Sequence, residues 1–287
     1  MLLSVFFTKV LKILPDRPYI QLKYFIRSHG FLNLKNPRTF NEKLNWLKLH
    51  CRRDIFTKMV DKYEARDFVA ERVGEEHLVP LLGVWSDFEE IDFDRLPDKF
   101  VLKCTNNSGG TVFCTDKKTL DLEAACTKIQ GALKTNYFWF SREWPYKNVR
   151  PRIIAEAFVE EKNVCESASL VVYKVFCFDG KPHIIQVIQN DKKPGEVIDY
   201  YDTDWNLLKL RQNYPNSGRL IEKNALLSEM LELSKVLSKG IPFVRVDWYM
   251  PDDRLLFSEH TFFSDGGFAK FEPAEWDRIL GDLIVLP

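Results

Sequence analysis

The alternation of hydrophobic and polar positions predicts a chain in which helices are interleaved with antiparallel hairpins. Apolar residues recur at helical spacing from 40 to 73, with a polar break around Arg52-Arg53-Asp54. From Leu78 the sequence changes to short apolar runs interrupted by Pro80, Gly83 and Pro97. The sequence contains no run of βαβ units, so the pattern indicates the α+β class, and residues 189–222 are too rich in turns to assign. The other predicted helices cover residues 120–133 and 226–237, and the predicted strands cover 99–104, 111–115, 152–159, 170–178, 182–188, 242–249 and 255–262.

The last two predicted strands place carboxylates inside otherwise apolar sequence. Arg245 and Asp247 share one face of the first strand, and Glu259 and Thr261 share one face of the second. A three-residue loop, Asp252-Asp253-Arg254, would put Asp247 opposite Glu259, whereas a two-residue loop would put the two carboxylates on opposite faces. Buried carboxylates are costly unless a cation or an arginine lies between them, and magnesium takes such hard oxygen ligands.

Composition limits the function classes. The chain has 287 residues, of which 45% are hydrophobic and 29% charged, enough for a large core. Its 41 basic residues balance its 41 acidic residues, so no overall charge favours nucleic acid, and any phosphate site must be local. The six cysteines include no CxxC pair, which argues against zinc or a disulfide framework and favours a reduced, cytoplasmic protein.

The N-terminal residues 1–15 are apolar but contain two lysines. The segment is too short to span a bilayer. We expect a first helix packed on the core. The alternative is an amphipathic anchor that would hold the protein peripherally at the inner membrane.

A lysine followed by a glycine-containing loop indicates a phosphate site. Lys103 lies at the end of the strand 99–104, and the polar loop after it ends in Gly109 and Gly110. Glycines let backbone N–H groups approach phosphate oxygens, Ser108 adds a hydroxyl, and the lysine supplies a fixed charge. An ordinary hairpin with a solvated lysine explains this segment equally well.

Three further charged residues each have a functional and a simpler interpretation. Glu156 lies in an apolar strand, where it would bind an adenine amino group or ribose hydroxyls, or face solvent. Lys174 is the only charge in residues 171–178, so it faces either solvent or a phosphate. Lys62 lies on a predicted helix, where a lysine is usually solvated.

Several short motifs occur in a characteristic order along the chain. They are Phe40-Asn41-Glu42-Lys43-Leu44, Asp61-Lys62-Tyr63, residues 96–104, Arg142-Glu143-Trp144, residues 151–156, Tyr173-Lys174, residues 176–180 and Val244-Arg245-Val246-Asp247. In this order they resemble the ATP-grasp superfamily, in which two α+β subdomains clamp ATP. More narrowly, the sequence is similar to the TupA-like branch, named for teichuronopeptide biosynthesis and often found in surface-polysaccharide pathways. The resemblance runs from about residue 20 to the C-terminus.

The resemblance implies a nucleotide site in the first half of the chain. Lys62 and Lys103 would hold the ATP phosphates, and the loop Ser108-Gly109-Gly110 would close over them. Glu156 would face the adenine amino group. The residues that would line the base are Phe158 and Val159, and Glu160 or Glu161 would hold the ribose.

The resemblance also implies a catalytic site near the C-terminus. Asp247 and Glu259 would bind Mg²⁺, with Thr261 where many ATP-grasp enzymes carry an asparagine. Arg245 would stabilise the transferring phosphoryl group. Lys174 would neutralise the substrate carboxylate and the developing acyl-phosphate.

The implied architecture is an α+β ATP-grasp fold with a helical N-terminal segment (1–60), a lid and nucleotide-binding subdomain (61–158) and a catalytic subdomain (159–287). The implied activity is that of an ATP- and Mg²⁺-dependent carboxylate–amine ligase acting through an acyl-phosphate. Its expected substrates are an amine and the carboxylate of a uronic acid or amino acid in a surface-polysaccharide precursor. The alternatives are a kinase for a sugar hydroxyl, with Asp265 or His260 as base, and a nucleotide-binding accessory protein of a glycosyltransferase complex.

Overall fold

In the computed structural model, the chain forms helices and two antiparallel sheets, which confirms the predicted α+β class. The structure describes residues 13–28, 30–107, 109–160, 170–191 and 193–287. The α-helices are α1 (Asp16–Ser28), α2 (Phe40–His50), α3 (Asp54–Val60), α4 (Ala65–Val73), α5 (Leu122–Leu133), α6 (Phe138–Ser141), α7 (Leu227–Ser238) and α8 (Trp276–Leu283). The strands are β1 (Leu81–Trp85), β2 (Phe100–Cys104), β3 (Thr111–Cys114), β4 (Ile153–Ala157), β5 (Val172–Phe178), β6 (Lys181–Gln189), β7 (Val197–Asp202), β8 (Phe243–Tyr249) and β9 (Leu256–Thr261).

The described chain forms two compact units, each with one sheet. Unit 1 contains Arg52–Phe68 and Leu78–Val159, together with the first described residues up to Pro15. Unit 2 contains Asp16–Cys51, Val69–His77 and the described residues from 160 onward. The four-stranded sheet belongs to unit 1, and the five-stranded sheet belongs to unit 2.

The sheet of unit 1 has the strand order β1-β4-β2-β3, with antiparallel pairing throughout. Alternate side chains of a strand point to opposite faces, so β2 buries one face and presents Val101 and Lys103 on the other. Helix α5 covers the buried face, and its first turn is capped by Asp121, which accepts a hydrogen bond from Ala124 N at 2.9 Å. The core between β2, β4 and α5 contains Phe100, Leu102, Cys104, Ile153, Ala155 and Ile129.

The sheet of unit 2 has the order β7-β6-β5-β8-β9 and is also antiparallel. Helix α7 covers one face, where Trp248 Nε1 donates to Ser234 Oγ at 2.9 Å. The opposite face of β8 carries Phe243, Arg245 and Asp247. Phe40 of α2 packs edge-on against Phe243, with ring centroids 4.9 Å apart, so α2 covers the apolar end of this face.

Helix α2 begins at a capping box. Thr39 accepts a hydrogen bond from Glu42 N, and the Glu42 side chain accepts one from Thr39 N. The predicted helical stretch 40–73 is divided into α2, α3 and α4. The second break occurs where Asp61 accepts hydrogen bonds from Tyr63 N and Glu64 N, which turns the chain before α4.

Two strands lie where the pattern predicted none. Strand β1 contains Gly83 and has an irregular register with β4, so it lacks a clean alternation of hydrophobic and polar residues. Strand β7 pairs with β6 inside the turn-rich region 189–222. Both strands are recognised only from their hydrogen-bonded pairing with β4 and β6, which the sequence pattern does not show.

Candidate functional site

In unit 1, the face of β2 and β4 that points away from α5 carries an ion-pair cluster. Lys103 Nζ lies 2.6 Å from Glu156 Oε2, and Arg66 Nη1 lies 3.2 Å from Glu156 Oε1. Lys103 pairs with Ile154 across the strands, so Glu156 is its diagonal neighbour on the same face. The formal charges of these three side chains, two cations and one carboxylate, sum to +1, which suits phosphate.

The structure joins two residues that the sequence analysis treated separately. Lys103 is predicted to bind phosphate and Glu156 to bind adenine, and their direct contact gives each a structural role as well. Their ligand-binding roles stay predictions. Arg66 was missed, because its partner lies 90 residues further along the chain and nothing local links the two.

Asn107 organises the loop between β2 and β3. Its Nδ2 donates to Ala132 O at 2.7 Å, and its Oδ1 accepts from Gly109 N at 3.0 Å and from Gly110 N at 2.9 Å. The glycine N–H groups that we expected to approach phosphate are thus bonded to Asn107 here. Ser108 lies outside the described residues.

Lys62 is brought to the same loop, where its Nζ donates to Asn107 O at 2.7 Å. Asn106 anchors the loop through Nδ2, which donates to the carbonyl oxygens of Ala132, Leu133 and Thr135 at 3.3, 3.3 and 3.0 Å. It thereby ties the loop to the C-terminal end of α5 and the residues that follow it. The sequence analysis counted Asn106 and Asn107 only as polar loop residues; two adjacent asparagines before two glycines were the available signal.

We expect Gly110→Ala to destabilise the protein by about 1–3 kcal/mol, as overpacking of a filled site does. A Cβ at this position would lie 2.5 Å from Ala132 Cβ and 2.8 Å from Cys104 Sγ. The matched control is Gly109→Ala, because a Cβ there has nothing within 4 Å. Chemical denaturation of the two variants checks the prediction, and equal stabilities would contradict it.

The other predicted nucleotide contacts lie at the end of β4. Phe158 and Val159 follow the strand directly and are half-buried, and Glu160 is exposed. Glu161 lies outside the described residues. Their roles at the base and the ribose stay predictions.

In unit 2, three predicted site residues form a row across neighbouring strands. Lys174 of β5 lies opposite Asp247 of β8, and Asp247 lies opposite Glu259 of β9. Lys174 Nζ is 3.7 Å from Asp247 Oδ2. Directly opposed positions share a face, so all three side chains lie on the same side of the sheet.

The predicted pairing of Asp247 with Glu259 is confirmed, but the predicted loop is wrong. Within the connection 250–255, Asp252 and Asp253 are the two central residues of the turn, with φ of 46° and 59° as in type I′, and Arg254 N donates to Pro251 O at 2.9 Å. With this turn and a regular ladder, the two carboxylates would lie on opposite faces of the sheet. The ladder is irregular, however, because Trp248 pairs with Phe257 whereas its neighbour Asp247 pairs with Glu259. The extra residue in β9 is a bulge that returns both carboxylates to one face.

Arg245 contacts two members of this row, Asp247 and Glu259. Its Nε and Nη2 each lie 2.7 Å from an oxygen of Asp247, a bidentate ion pair. Nη2 also donates to Thr261 Oγ1 at 3.1 Å, and Nη1 donates to Ser264 Oγ at 3.3 Å. Glu259 Oε1 lies 3.9 Å from Nη2.

Burial affects the two cations differently. It lowers the pKa of Lys174 from its usual value, and the charge of Arg245 lowers it further. Burial also opposes ionisation of Arg245, but Asp247 outweighs that effect and raises the pKa of the guanidinium. Arg245 is therefore a permanent cation, whereas Lys174 loses its proton at a lower pH than an exposed lysine.

The donor set of this row fits a magnesium ion that also binds nucleotide. Mg²⁺ usually takes one or two carboxylates plus phosphate oxygens, and Asp247 and Glu259 supply two opposed carboxylates. Among the described residues, no group of three or more His, Cys, Asp and Glu side chains could hold a metal. The remaining ligands would therefore come from phosphate and water, with Thr261 beside them.

The sequence analysis missed how the loop after β9 is held. Asn41, Asn45 and Lys48 of α2 lie on one helical face and bond the loop backbone. Asn41 Nδ2 donates to Ala269 O at 2.9 Å, Asn45 Nδ2 to Gly267 O at 2.7 Å, and Lys48 Nζ to Gly266 O at 2.5 Å. This loop carries Ser264, the partner of Arg245. Two asparagines and a lysine at helical spacing, next to the apolar positions of α2, were the available signal.

No helix in the described part of the chain has the length and apolar character needed to cross a membrane. Of the N-terminal segment 1–15, for which a packed helix or a membrane-surface anchor was expected, residues 1–12 lie outside the described residues.

The chain has recognisable relatives. A model of the TupA-like ATP-grasp family matches residues 42–285. No curated protein matches the chain in sequence.

Three of the matching solved structures are ligases by their descriptions. D-alanine–D-alanine ligase from Bacillus anthracis complexed with ATP is 14% identical, covers 84% of this chain and 70% of its own, and has a TM-score of 0.41. The corresponding ligase from Helicobacter pylori is 12% identical, with coverages of 81% and 62% and a TM-score of 0.43. The ATP-grasp ligase PsnB, complexed with a precursor variant, Mg and ADP, is 13% identical, with coverages of 84% and 64% and a TM-score of 0.40. The chain thus spans roughly two thirds of their length.

Proposed function

Since the chain belongs to the TupA-like ATP-grasp family, we propose that it is an ATP- and Mg²⁺-dependent carboxylate–amine ligase. Its substrates would be an amine and a uronic acid or amino-acid carboxylate of a surface-polysaccharide precursor. The observation that carries the proposal is the row Lys174–Asp247–Glu259, in which the buried Asp247 forms a bidentate ion pair with Arg245. Such a row combines metal ligands with cations that suit an anionic reaction centre.

Unit 1 supplies groups for the nucleotide. The net positive cluster of Lys103, Arg66 and Glu156 favours phosphate, while the Glu156 carboxylate can accept a hydrogen bond from an amino group. Lys62 adds a charge beside the glycine loop. Phosphate binding would replace the hydrogen bonds from the glycine N–H groups to Asn107 with bonds to phosphate oxygens.

Unit 2 supplies groups for the reaction. Asp247 and Glu259 would hold Mg²⁺, which neutralises phosphate charge when bound. The protonated ammonium of Lys174 would bind the substrate carboxylate, and Arg245 would stabilise charge on the transferring phosphoryl group.

The reaction needs two displacements. A carboxylate oxygen of the first substrate attacks the γ-phosphorus of ATP, the bond to the bridging oxygen breaks, and ADP leaves. The amine nitrogen then attacks the carbonyl carbon of the acyl-phosphate, the carbon–oxygen bond to phosphate breaks, and the nitrogen loses a proton. The protein contributes orientation and charge stabilisation to both steps.

Hydroxylamine distinguishes this reaction from phosphorylation of a hydroxyl group, because it converts acyl-phosphates to hydroxamates and leaves phosphomonoesters intact. We expect incubation of the protein with Mg-ATP, a substrate acid and hydroxylamine to yield hydroxamate in proportion to ADP. ADP accompanied by a stable phosphomonoester and no hydroxamate would favour a sugar kinase. ATP binding without turnover over a panel of acids and amines would favour the accessory protein.

A further inference from the structure

The row of polar residues in unit 2 continues beyond Lys174 toward the other edge of the sheet. Gln186 of β6 lies opposite Lys174, and Tyr200 of β7 lies opposite Gln186. Directly opposed residues lie about 5 Å apart at their Cβ atoms. The five positions Tyr200, Gln186, Lys174, Asp247 and Glu259 therefore cross the whole sheet on one face.

Tyr200 joins two buried glutamines. Gln186 Nε2 donates to Tyr200 Oη at 2.8 Å, and Tyr200 Oη donates to Gln212 Oε1 at 2.6 Å. We call these three residues the Gln–Tyr–Gln chain. Gln186, Tyr200 and Gln212 are 6%, 1% and 6% exposed.

The Gln–Tyr–Gln chain leaves one donor group and one acceptor unused. Gln186 Oε1 and Gln212 Nε2 are buried and have no hydrogen-bond partner. The result does not depend on how the two amides are oriented. If both are flipped, Gln212 donates to the phenol and the phenol donates to Gln186, which again leaves one amide oxygen and one amide nitrogen unused.

The phenol stays neutral and can keep this role. Burial is the main cause that raises the pKa of Tyr200 above its usual value, and the hydrogen bond from Gln186 and the charge of Arg245 act in the opposite direction.

A buried amide oxygen or nitrogen without a hydrogen-bond partner destabilises the folded state, so we expect a bound partner at Gln186 Oε1 and Gln212 Nε2. An alkyl hydroxyl group donates one hydrogen bond and accepts others, and it therefore matches an amide oxygen and an amide nitrogen together. A partner on this face would also lie one strand away from the cation of Lys174.

We propose that Gln186 and Gln212 bind the ring hydroxyls of a sugar acid whose carboxylate lies at Lys174. This inference rests on the proposed function and deepens it, because it selects a hydroxylated acid, of the uronic acid class, over an amino acid. Gln186, Tyr200 and Gln212 are thereby residues that determine specificity.

The test compares two acids with similar rings, glucuronate and cyclohexanecarboxylate, which lacks the hydroxyl groups. In calorimetry with Mg-ADP, we expect the wild-type protein to bind glucuronate at least about tenfold more tightly than cyclohexanecarboxylate, because a site that hydrogen-bonds hydroxyl groups discriminates against a ligand that lacks them. The measured quantity is the ratio of the two dissociation constants. In Gln212→Leu, which keeps the size of the side chain, this ratio should fall at least about tenfold. The control Gln189→Leu makes the same change at the end of β6, where Gln189 accepts only a long bond from Arg219, and should leave the ratio unchanged.

The outcomes separate this inference from the proposed function. Hydroxamate from glucuronate with an unchanged ratio in Gln212→Leu would support the ligase but overturn the specificity role, leaving a buried water as the partner of the amides. Hydroxamate from amino acids alone would also overturn it. If the preference for glucuronate falls in Gln212→Leu but no acid yields hydroxamate, the sugar site would be supported and the ligase reaction rejected. If Gln212→Leu does not fold, Tyr200→Phe removes only the phenol oxygen and should lower the ratio likewise.

Discussion

Asp247→Asn is expected to abolish Mg²⁺-dependent turnover and to lower the free energy of unfolding by about 3 kcal/mol, since removing one partner of a buried ion pair leaves the other charge uncompensated. Asp247 is 1% exposed and both of its oxygens bond Arg245. The variant would leave a buried guanidinium beside Lys174 with no full negative charge at the centre of the row. Denaturant unfolding and ADP release measure the two effects.

The matched variant is Glu259→Gln, which is expected to lose turnover but not stability. About a third of the Glu259 side chain is exposed, at 34%, and its oxygen is 3.9 Å from Arg245. Ion pairs of this kind contribute little to stability, whereas the lost charge removes a metal ligand. Full turnover in Glu259→Gln would show that this carboxylate does not hold the metal. Equal destabilisation of both variants would show that Arg245 depends on both carboxylates.

Lys103→Ala is expected to weaken Mg-ATP binding at least about tenfold, because a charge-assisted contact with phosphate contributes more than a neutral one. The folded state should persist, because Arg66 still bonds Glu156 at 3.2 Å. The measurement is thermal denaturation with and without Mg-ATP. The difference between the two melting temperatures should be large in the wild-type protein and small in the variant.

The control is Lys118→Ala, which removes an exposed lysine of the same unit and should leave the nucleotide-induced shift intact. A different result for Lys103→Ala would identify Lys103 as only a structural partner of Glu156. In that case Lys103→Ala would melt at a lower temperature without nucleotide, and Mg-ATP would raise its melting temperature as much as in the wild-type protein.

The pairing of Asp247 with Glu259 shows how far the strand pattern can be taken. Hydrophobic alternation located both strands, and the chemical argument for two facing carboxylates gave the right pair. The loop was wrong, because the two-residue turn and the bulge change the register by compensating amounts. No distinctive residue type marks the bulge in β9, so the sequence does not show that a shorter turn and a bulge together produce the predicted pairing.

Residues whose role depends on distant partners were harder to predict. Lys103 and Glu156 were both identified, but their contact follows from the pairing of β2 with β4, which are 53 positions apart at these residues. Gln186 was not singled out at all. A glutamine in an apolar strand acquires meaning only once β7 brings Tyr200 beside it, and β7 itself lies in sequence that was too rich in turns to assign.

The support that α2 gives to the loop after β9 has a consequence for protein engineering. Asn41, Asn45 and Lys48 form hydrogen bonds with main-chain atoms of residues 266–269, and Lys48 Nζ also lies 4.8 Å from the ring centroid of Phe268. A library for new chemistry would therefore randomise the exposed Lys270, next to the held backbone, and keep both Phe268 and Asp265, whose φ of 49° few residue types adopt. Gly267 must be kept out of such a library, because a Cβ there would lie 2.9 Å from Asn45 Nδ2 and its φ of +71° disfavours other residues.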